Sequence, residues 1–179
     1  MPKTMAKPPV RGRAATDTLR VLLIRHGKAQ RHSESGRDED RRLKPRGERQ
    51  AKWLGRRLAQ LKLVPEILLH SPAHRAVQTA ARLAEQLACE TKETDALSIG
   101  SPPRGVLDLI RRRRADSVVA LVGHNPQLEE LAQILVPQFR KNGVELRTGE
   151  ALIVEVSLSS GLTDAKLVAR ERLDDDDED

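Results

Sequence analysis

Apolar positions along the chain follow two rhythms that alternate. Leu19–Ile24 is a compact apolar run ending at Arg25, the form of a strand buried on both faces. Residues 27–44 are polar, carry charges of both signs without a period, and read as a loop. Pro45–Leu61 then shows a helical period, with Ala51, Leu54, Leu58 and Leu61 on one face and Lys52, Arg56 and Gln60 away from it. Glu66–Leu69 predicts a second strand. Ser71-Pro72 predicts a helix start, with Ser71 as N-cap and Pro72 at the first helical position. That helix runs to about Leu87, with Ala73, Val77, Ala80, Ala84 and Leu87 on its buried stripe.

Downstream, the pattern predicts a weaker strand near Glu90–Thr94, a helix over Pro103–Arg112, a buried strand over Ser117–Val122 and a helix over Gln127–Leu135. Ala151–Leu158 alternates as a strand, Ser159-Ser160-Gly161 turns, and Lys166–Leu173 closes the pattern as a last strand. Strands alternating with helices predict βαβ units. The expected architecture is one three-layer α/β/α domain over residues 19–173, built on a mostly parallel sheet.

Composition narrows the setting. The 179 residues suffice for one domain with a real core. The lone Cys89 excludes a disulfide framework and a cysteine-based zinc site, and it fits a reducing compartment. The longest apolar runs fall far short of the ~20 residues that span a bilayer, and no signal peptide is evident. A cytoplasmic protein without a membrane segment is therefore expected.

The net charge of +6 hides an asymmetry: the six acids of the tail 174–179 leave the rest of the chain at +12. Residues 1–18 read as a disordered basic arm, whose prolines disfavour the alternative of a transit peptide. A positive body favours anionic partners, namely phosphoproteins, phosphorylated metabolites or nucleic acid. Trp53 and Phe139 are the only aromatic stacking candidates, which argues against nucleic acid. The Arg111–Arg114 run falls at a predicted helix end, where cations meet the negative dipole.

In open α/β sheets, ligands bind beyond the carboxyl ends of the strands. The first strand ends in Arg25-His26-Gly27, the second in Ser71 with Arg75 a turn later, and the fourth in Gly123-His124-Asn125-Pro126. Two histidines and two arginines can thus converge on one crevice. Arginine offers fixed-charge donors for phosphate oxygens, and neutral histidine is a nucleophile. Phosphoryl transfer needs mainly positioning and charge stabilisation, and no acidic cluster for a metal lies at these strand ends, so neither metal nor cofactor is expected. Taken singly, Arg75 could be a solvated helix residue and His124 a cap. His32, His70 and His74 lack metal-ligand spacing; His74 could line a pocket mouth, though exposed helix surface fits it better.

Leu22-Leu23-Ile24-Arg25-His26-Gly27, Ser71-Pro72-Ala73-His74-Arg75-Ala76-Val77-Gln78-Thr79 and Val122-Gly123-His124-Asn125-Pro126 resemble the three signatures of the histidine phosphatase superfamily, which has the phosphoglycerate-mutase-like fold. The short chain and Leu128-Glu129-Glu130-Leu131 after the third signature resemble its SixA-type phosphohistidine phosphatase branch, as does Arg42-Leu43-Lys44-Pro45-Arg46-Gly47. The resemblance spans residues 19–136. It implies that His26 is the nucleophile, that Arg25 and Arg75 clamp the phosphoryl oxygens, and that His124 bonds the same group. Arg41 lies where the branch has a substrate arginine, although a solvated loop residue fits it equally.

Two departures stand out. Arg42 replaces the branch's proline, and no clear general acid follows the third strand, where Asp95 and Glu93 are the nearest carboxylates. Without such an acid, phosphohistidine is favoured over phosphoesters, because imidazole with its pKa of about 6.5 leaves with little help. The implied partner is a phosphorylated protein, such as a histidine phosphotransfer domain. A small phosphorylated metabolite, or an idle domain that only binds phosphate, remains the alternative.

Overall fold

The first strand, β1 (Thr18–Arg25), is the keel of the molecule. In the computed structural model, which describes residues 17–174, it lies between β4 (Val118–Gly123), parallel to it, and β5 (Ala151–Ser157), antiparallel. Beyond β4 come β2 (Ile67–His70) and β3 (Thr91–Glu93), both parallel; beyond β5, an antiparallel β6 (Lys166–Glu171) forms the other edge. The six-stranded order is β3-β2-β4-β1-β5-β6. The expected basic arm, apart from Asp17 and Thr18, and the acidic tail beyond Asp174 lie outside the described residues.

Alternation along β1 divides the interior in two. Leu19, Val21 and Leu23 face a core with α3 (Pro103–Arg111), α4 (Gln127–Leu135) and α5 (Pro137–Asn142). Leu22 and Ile24 face a second core with α1 (Pro45–Gln60) and α2 (His74–Leu87). A sheet covered on both faces by helices is the expected three-layer α/β/α architecture. Trp53 packs against one core and Phe139 lies in the other, so neither offers an exposed stacking platform.

Local differences from the sequence expectation are instructive. The buried residues of α2 are Arg75, Ala76, Thr79, Ala80, Leu83 and Leu87; of the predicted stripe Ala73, Ala80 and Leu87 are buried while Val77 and Ala84 are half-buried, a slight rotation. Leu83 buries more apolar surface than Ala84, and the rotation carries Arg75 inward. The helix also starts later than predicted: Ala73 is its N-cap and makes no side-chain cap bond, so Ser71 is not the N-cap. The short helix α5 was not anticipated, nor was a 3-10 turn at Asp38–Asp40 within the segment expected to be loop.

Candidate active site

Three parallel strands, β2, β4 and β1, are neighbours, so their carboxyl ends line up. Ladder pairing continues past the strands: His26 N donates to Gly123 O (3.2 Å) and Ser71 N to Val122 O (3.0 Å). The register therefore carries His26, Ser71 and His124 to one level of one crevice. The rings of His26 and His124 are 5.0 Å apart, centroid to centroid. Both residues are buried, as are Ser71 and Arg75.

His26 is held by its neighbours on two sides. Its Nδ1 donates to the Gly27 carbonyl (2.8 Å), which places the proton on Nδ1 and leaves Nε2 as an acceptor. Arg75 Nε donates to that Nε2 at 3.2 Å. Gly27 N donates to Thr79 Oγ1 (3.1 Å), tying the end of β1 to α2. A side chain at position 27 would collide with α1, because an added Cβ would sit 2.6 Å from the Gly47 carbonyl oxygen. The glycine of the Arg-His-Gly tripeptide is thus required by close packing.

His124 Nε2 lies 2.8 Å from Ser71 Oγ, and its Nδ1 is buried without a protein partner among the described residues. Ser71 Oγ also accepts the Ala73 N–H (3.2 Å), so its own proton is free to go to His124 Nε2. The hydroxyl read in the sequence as a helix cap is instead the holder of the second histidine.

Burial drives both histidines to the neutral form. His26 is pushed down to about 3, first by desolvation, then by the cations around it. His124 is pushed down to about 4 by desolvation and Arg75, with Asp38 opposing. Two uncharged imidazoles in a cationic pocket suit an arriving anion, one as nucleophile and one as hydrogen-bond donor.

The arginines differ in setting. Arg25 is half-buried at the end of β1, with Nη1 donating to Leu146 O (2.8 Å). Arg75, the second residue of α2, is almost wholly buried and is met by an acid the sequence did not single out. Its Nη1 donates to the Asp38 carbonyl (2.6 Å) and its Nη2 to Asp38 Oδ2 (2.8 Å). Arg41 pairs with the same carboxylate, Nε to Oδ1 at 2.7 Å, and donates from Nη1 to Gln30 O (3.0 Å). Arg41 is therefore beside the site, engaged through Asp38. The signal for Asp38 was weak, since it lies 37 residues from Arg75 in a stretch without hydrophobic period.

A cavity of about 460 Å³ opens beside Ser71 and is lined by Arg37, Glu39, Asp40, His74 and Ile99 among others. His74 is thus both exposed helix surface and part of the mouth. Neither Glu93 nor Asp95 lines this cavity; both are exposed, and Asp95 accepts Ser101 Oγ through its main-chain oxygen. Glu39 and Asp40, which line this cavity, and Asp38 beside Arg75 are held ionised, while Glu130 lines a second cavity together with His124. Burial raises Asp38, but Arg75 and Arg41 outweigh it and hold it below its ordinary value. Glu39 is lowered by a backbone hydrogen bond and Arg37, and Asp40 by Ser35 and Arg37. Among the described residues no cluster of three or more His, Cys, Asp or Glu could hold a metal ion, and no helix is long and apolar enough to cross a membrane.

Known proteins resemble the chain to different extents. Residues 21–98 match the model of the histidine phosphatase superfamily, branch 1. An uncharacterized protein of Picosynechococcus sp. is 35% identical over 142 residues, covering 76% of this chain and 83% of that protein. The mitochondrial serine/threonine-protein phosphatase PGAM5 of Mus musculus is 37% identical over 89 residues, covering 49% of this chain but 30% of that protein. Among solved structures, a putative phosphohistidine phosphatase SixA from Nakamurella multipartitia superposes with a TM-score of 0.72 at 22% identity, over 86% of this chain and 95% of the other. The protein histidine phosphatase SixA complexed with tungstate gives 0.75 at 19% identity, over 87% and 96%. The fold is thus that of the phosphoglycerate-mutase-like proteins, and the chain belongs to the histidine phosphatase superfamily.

Proposed function

We propose that the protein is a metal-independent phosphohydrolase of the SixA type that removes phosphate from phosphohistidine through a covalent intermediate on His26. The observation that carries this reading is the Nε2 of His26, stripped of its proton by the Gly27 bond and facing Arg75. In the first step the Arg75 Nε–H shifts its hydrogen bond from Nε2 to an oxygen of the arriving phosphoryl group, and the freed Nε2 lone pair attacks phosphorus in line. The bond from phosphorus to the substrate imidazole breaks, and that nitrogen leaves with the electron pair as neutral imidazole, the ring's other nitrogen having taken a proton from solvent beforehand. Arg25 and Arg75 neutralise the phosphoryl oxygens. His124, its Nε2 accepting from Ser71, donates from Nδ1 to the same group. Water then attacks the phosphorus of phospho-His26, the bond to Nε2 breaks, and phosphate departs with Nε2 again unprotonated.

The state of the mouth carboxylates supports the substrate choice. Asp38, Glu39 and Asp40 are all held in the ionised form, so none has a proton to offer an alkoxide at neutral pH. An imidazole leaving group needs no such donor. The open cavity suits a substrate presented on another macromolecule, and the positive body would attract an acidic phosphorylated protein such as a histidine phosphotransfer domain. The single Cys89 fits a cytoplasmic setting. A second reading, phosphoserine or phosphothreonine as substrate, is favoured by the likeness to PGAM5.

Mixing wild type and His26→Ala with a phosphohistidine donor bearing labelled phosphate, followed by an acid-free quench, tests the proposal. Acid-labile label on wild type alone, chased into free phosphate, is the expected result. Equal phosphate release by His26→Ala would overturn it, and faster turnover of a phosphoserine peptide than of phosphohistidine would favour the second reading.

A further inference from the structure

Asp38 meets Arg75 in an unusual way: one residue supplies both acceptors for the far end of the guanidinium. Its carbonyl takes Nη1 and its carboxylate takes Nη2, while Nε on the opposite edge points at His26 Nε2. A guanidinium has five N–H donors in a rigid plane. Three have these partners, so the plane is fixed and the two remaining Nη hydrogens are left for phosphoryl oxygens. Arg41 pairs with the other carboxylate oxygen, so the side chain of Asp38 is anchored on both sides.

We propose that Asp38 is the positioning residue of the phosphoryl site, aligning Arg75 against His26 through its paired main-chain and side-chain contacts and itself locked by Arg41. The role rests on the phosphatase reading for its catalytic consequence, but not for its effect on anion binding. It also gives Arg41 a function without direct substrate contact. An isolated buried arginine would sample several rotamers and would be costly to desolvate. The bracket removes both penalties before the anion arrives, which is preorganisation in the sense that oxyanion sites require.

The bracket competes with one alternative, a carboxylate that merely fills the anion site and must be expelled. The two predict opposite signs. A carboxylate that only blocks the site weakens phosphate binding, and its removal tightens it. A bracket strengthens binding, and its removal loosens it. The main-chain contact of Asp38 favours the bracket, because a carbonyl on a 3-10 turn cannot swing away as a side chain can.

The test compares wild type, Asp38→Asn and Asp38→Ala by calorimetric titration with inorganic phosphate, with kcat and KM for phosphohistidine, and with the Arg75 Nε–H resonance in the NMR spectrum. The Asp38 side chain is 53% exposed and its turn buries no residue, so neither variant threatens the core. Asp38→Ala is expected to weaken phosphate binding about tenfold, to lower kcat more than it raises KM, and to broaden the Arg75 resonance. Asp38→Asn, whose amide oxygen can still accept from Nη2, is expected to restore binding to within about threefold of wild type. Unchanged or tighter phosphate binding by Asp38→Ala would overturn the proposal. If no protein, wild type included, releases phosphate from phosphohistidine, the substrate reading falls, and the phosphate titration and the Arg75 resonance still decide the role of Asp38.

Discussion

Replacing Gly27 by alanine tests whether His26, the proposed nucleophile, is positioned by packing or only by its own hydrogen bonds. The added Cβ would lie 2.6 Å from Gly47 O and 3.0 Å from Gly47 C and Cα. All three are backbone atoms in the first turn of α1, so no side-chain rotation can relieve the contact. Restoring ordinary contact needs a shift of roughly half an ångström or more. Such a shift would strain the Nδ1 bond of His26 to Gly27 O (2.8 Å) and the bond of Gly27 N to Thr79 Oγ1 (3.1 Å). Overpacking of this kind costs about 1–3 kcal/mol, and small displacements of reacting groups cost about 10- to 100-fold in rate. Denaturant unfolding should therefore show a lower midpoint at unchanged slope. Phosphate release, assayed well below the melting range, should fall by about that factor. An alanine variant within about 0.5 kcal/mol of wild type and within twofold in turnover would refute the packing argument.

Three further outcomes follow from the same geometry. Ser71→Ala removes the partner of His124 Nε2 and should lower kcat about tenfold with little change in KM; unchanged kinetics would show that His124 needs no orienting hydroxyl. Because His26 and His124 are lowered to about 3 and about 4, the unfolded chain binds more protons than the folded one below about pH 6.5. Their contribution to stability is full above that pH and is lost as pH falls toward the folded values, with a slope of up to ~1.4 kcal/mol per pH unit for each histidine. Unfolding at a series of pH values should show a shallower slope for His26→Ala than for wild type, and identical slopes would contradict the burial account. Asp95→Asn and Glu93→Gln should leave phosphohistidine turnover within about twofold, since neither residue lines the mouth; a large loss in either would mean that a loop carries its carboxylate into the site.

The fold was legible where the chain is strongly periodic. The runs of β1 and β4 and the stripe of α1 over Ala51, Leu54 and Leu58 appear where the pattern places them, because burial enforces the same periodicity that the sequence displays. Helix α5 escaped because six residues with only Phe139 buried are too few to show a period. The antiparallel placement of β5 beside β1 was equally hidden, since an apolar run does not say which neighbour it meets. At the site, Arg25, His26, Arg75 and His124 were legible as polar residues interrupting strand ends. Ser71 and Asp38 were not. A serine before a proline reads the same whether it caps a helix or holds a histidine 53 residues away, and Asp38 acquires meaning only when α2 turns Arg75 inward.

One electrostatic pattern ties the substrate to the architecture. The crevice lowers its histidines by burial, Asp38 by Arg75 and Arg41, and Glu39 and Asp40 by hydrogen bonds and Arg37, so at neutral pH the proposed nucleophile His26 is unprotonated and these three carboxylates carry no proton to donate. This state favours attack on phosphorus, but it gives no assistance to a leaving group that must be protonated as it departs. Phosphohistidine escapes the difficulty because its leaving nitrogen belongs to an imidazole. Phosphoserine does not, because its leaving oxygen is an alkoxide. The phosphoserine rate should therefore stay low and nearly flat from about pH 6.5 to 8.5, while the phosphohistidine rate falls with rising pH as the substrate ring loses its second proton, so the ratio of the two is highest at the acid end. Parallel assays with a phosphohistidine protein and a phosphoserine peptide would read that ratio. An ester rate that climbs steeply as pH falls through this range would reveal a protonated acid near neutrality, and the electrostatic argument for the substrate would fail.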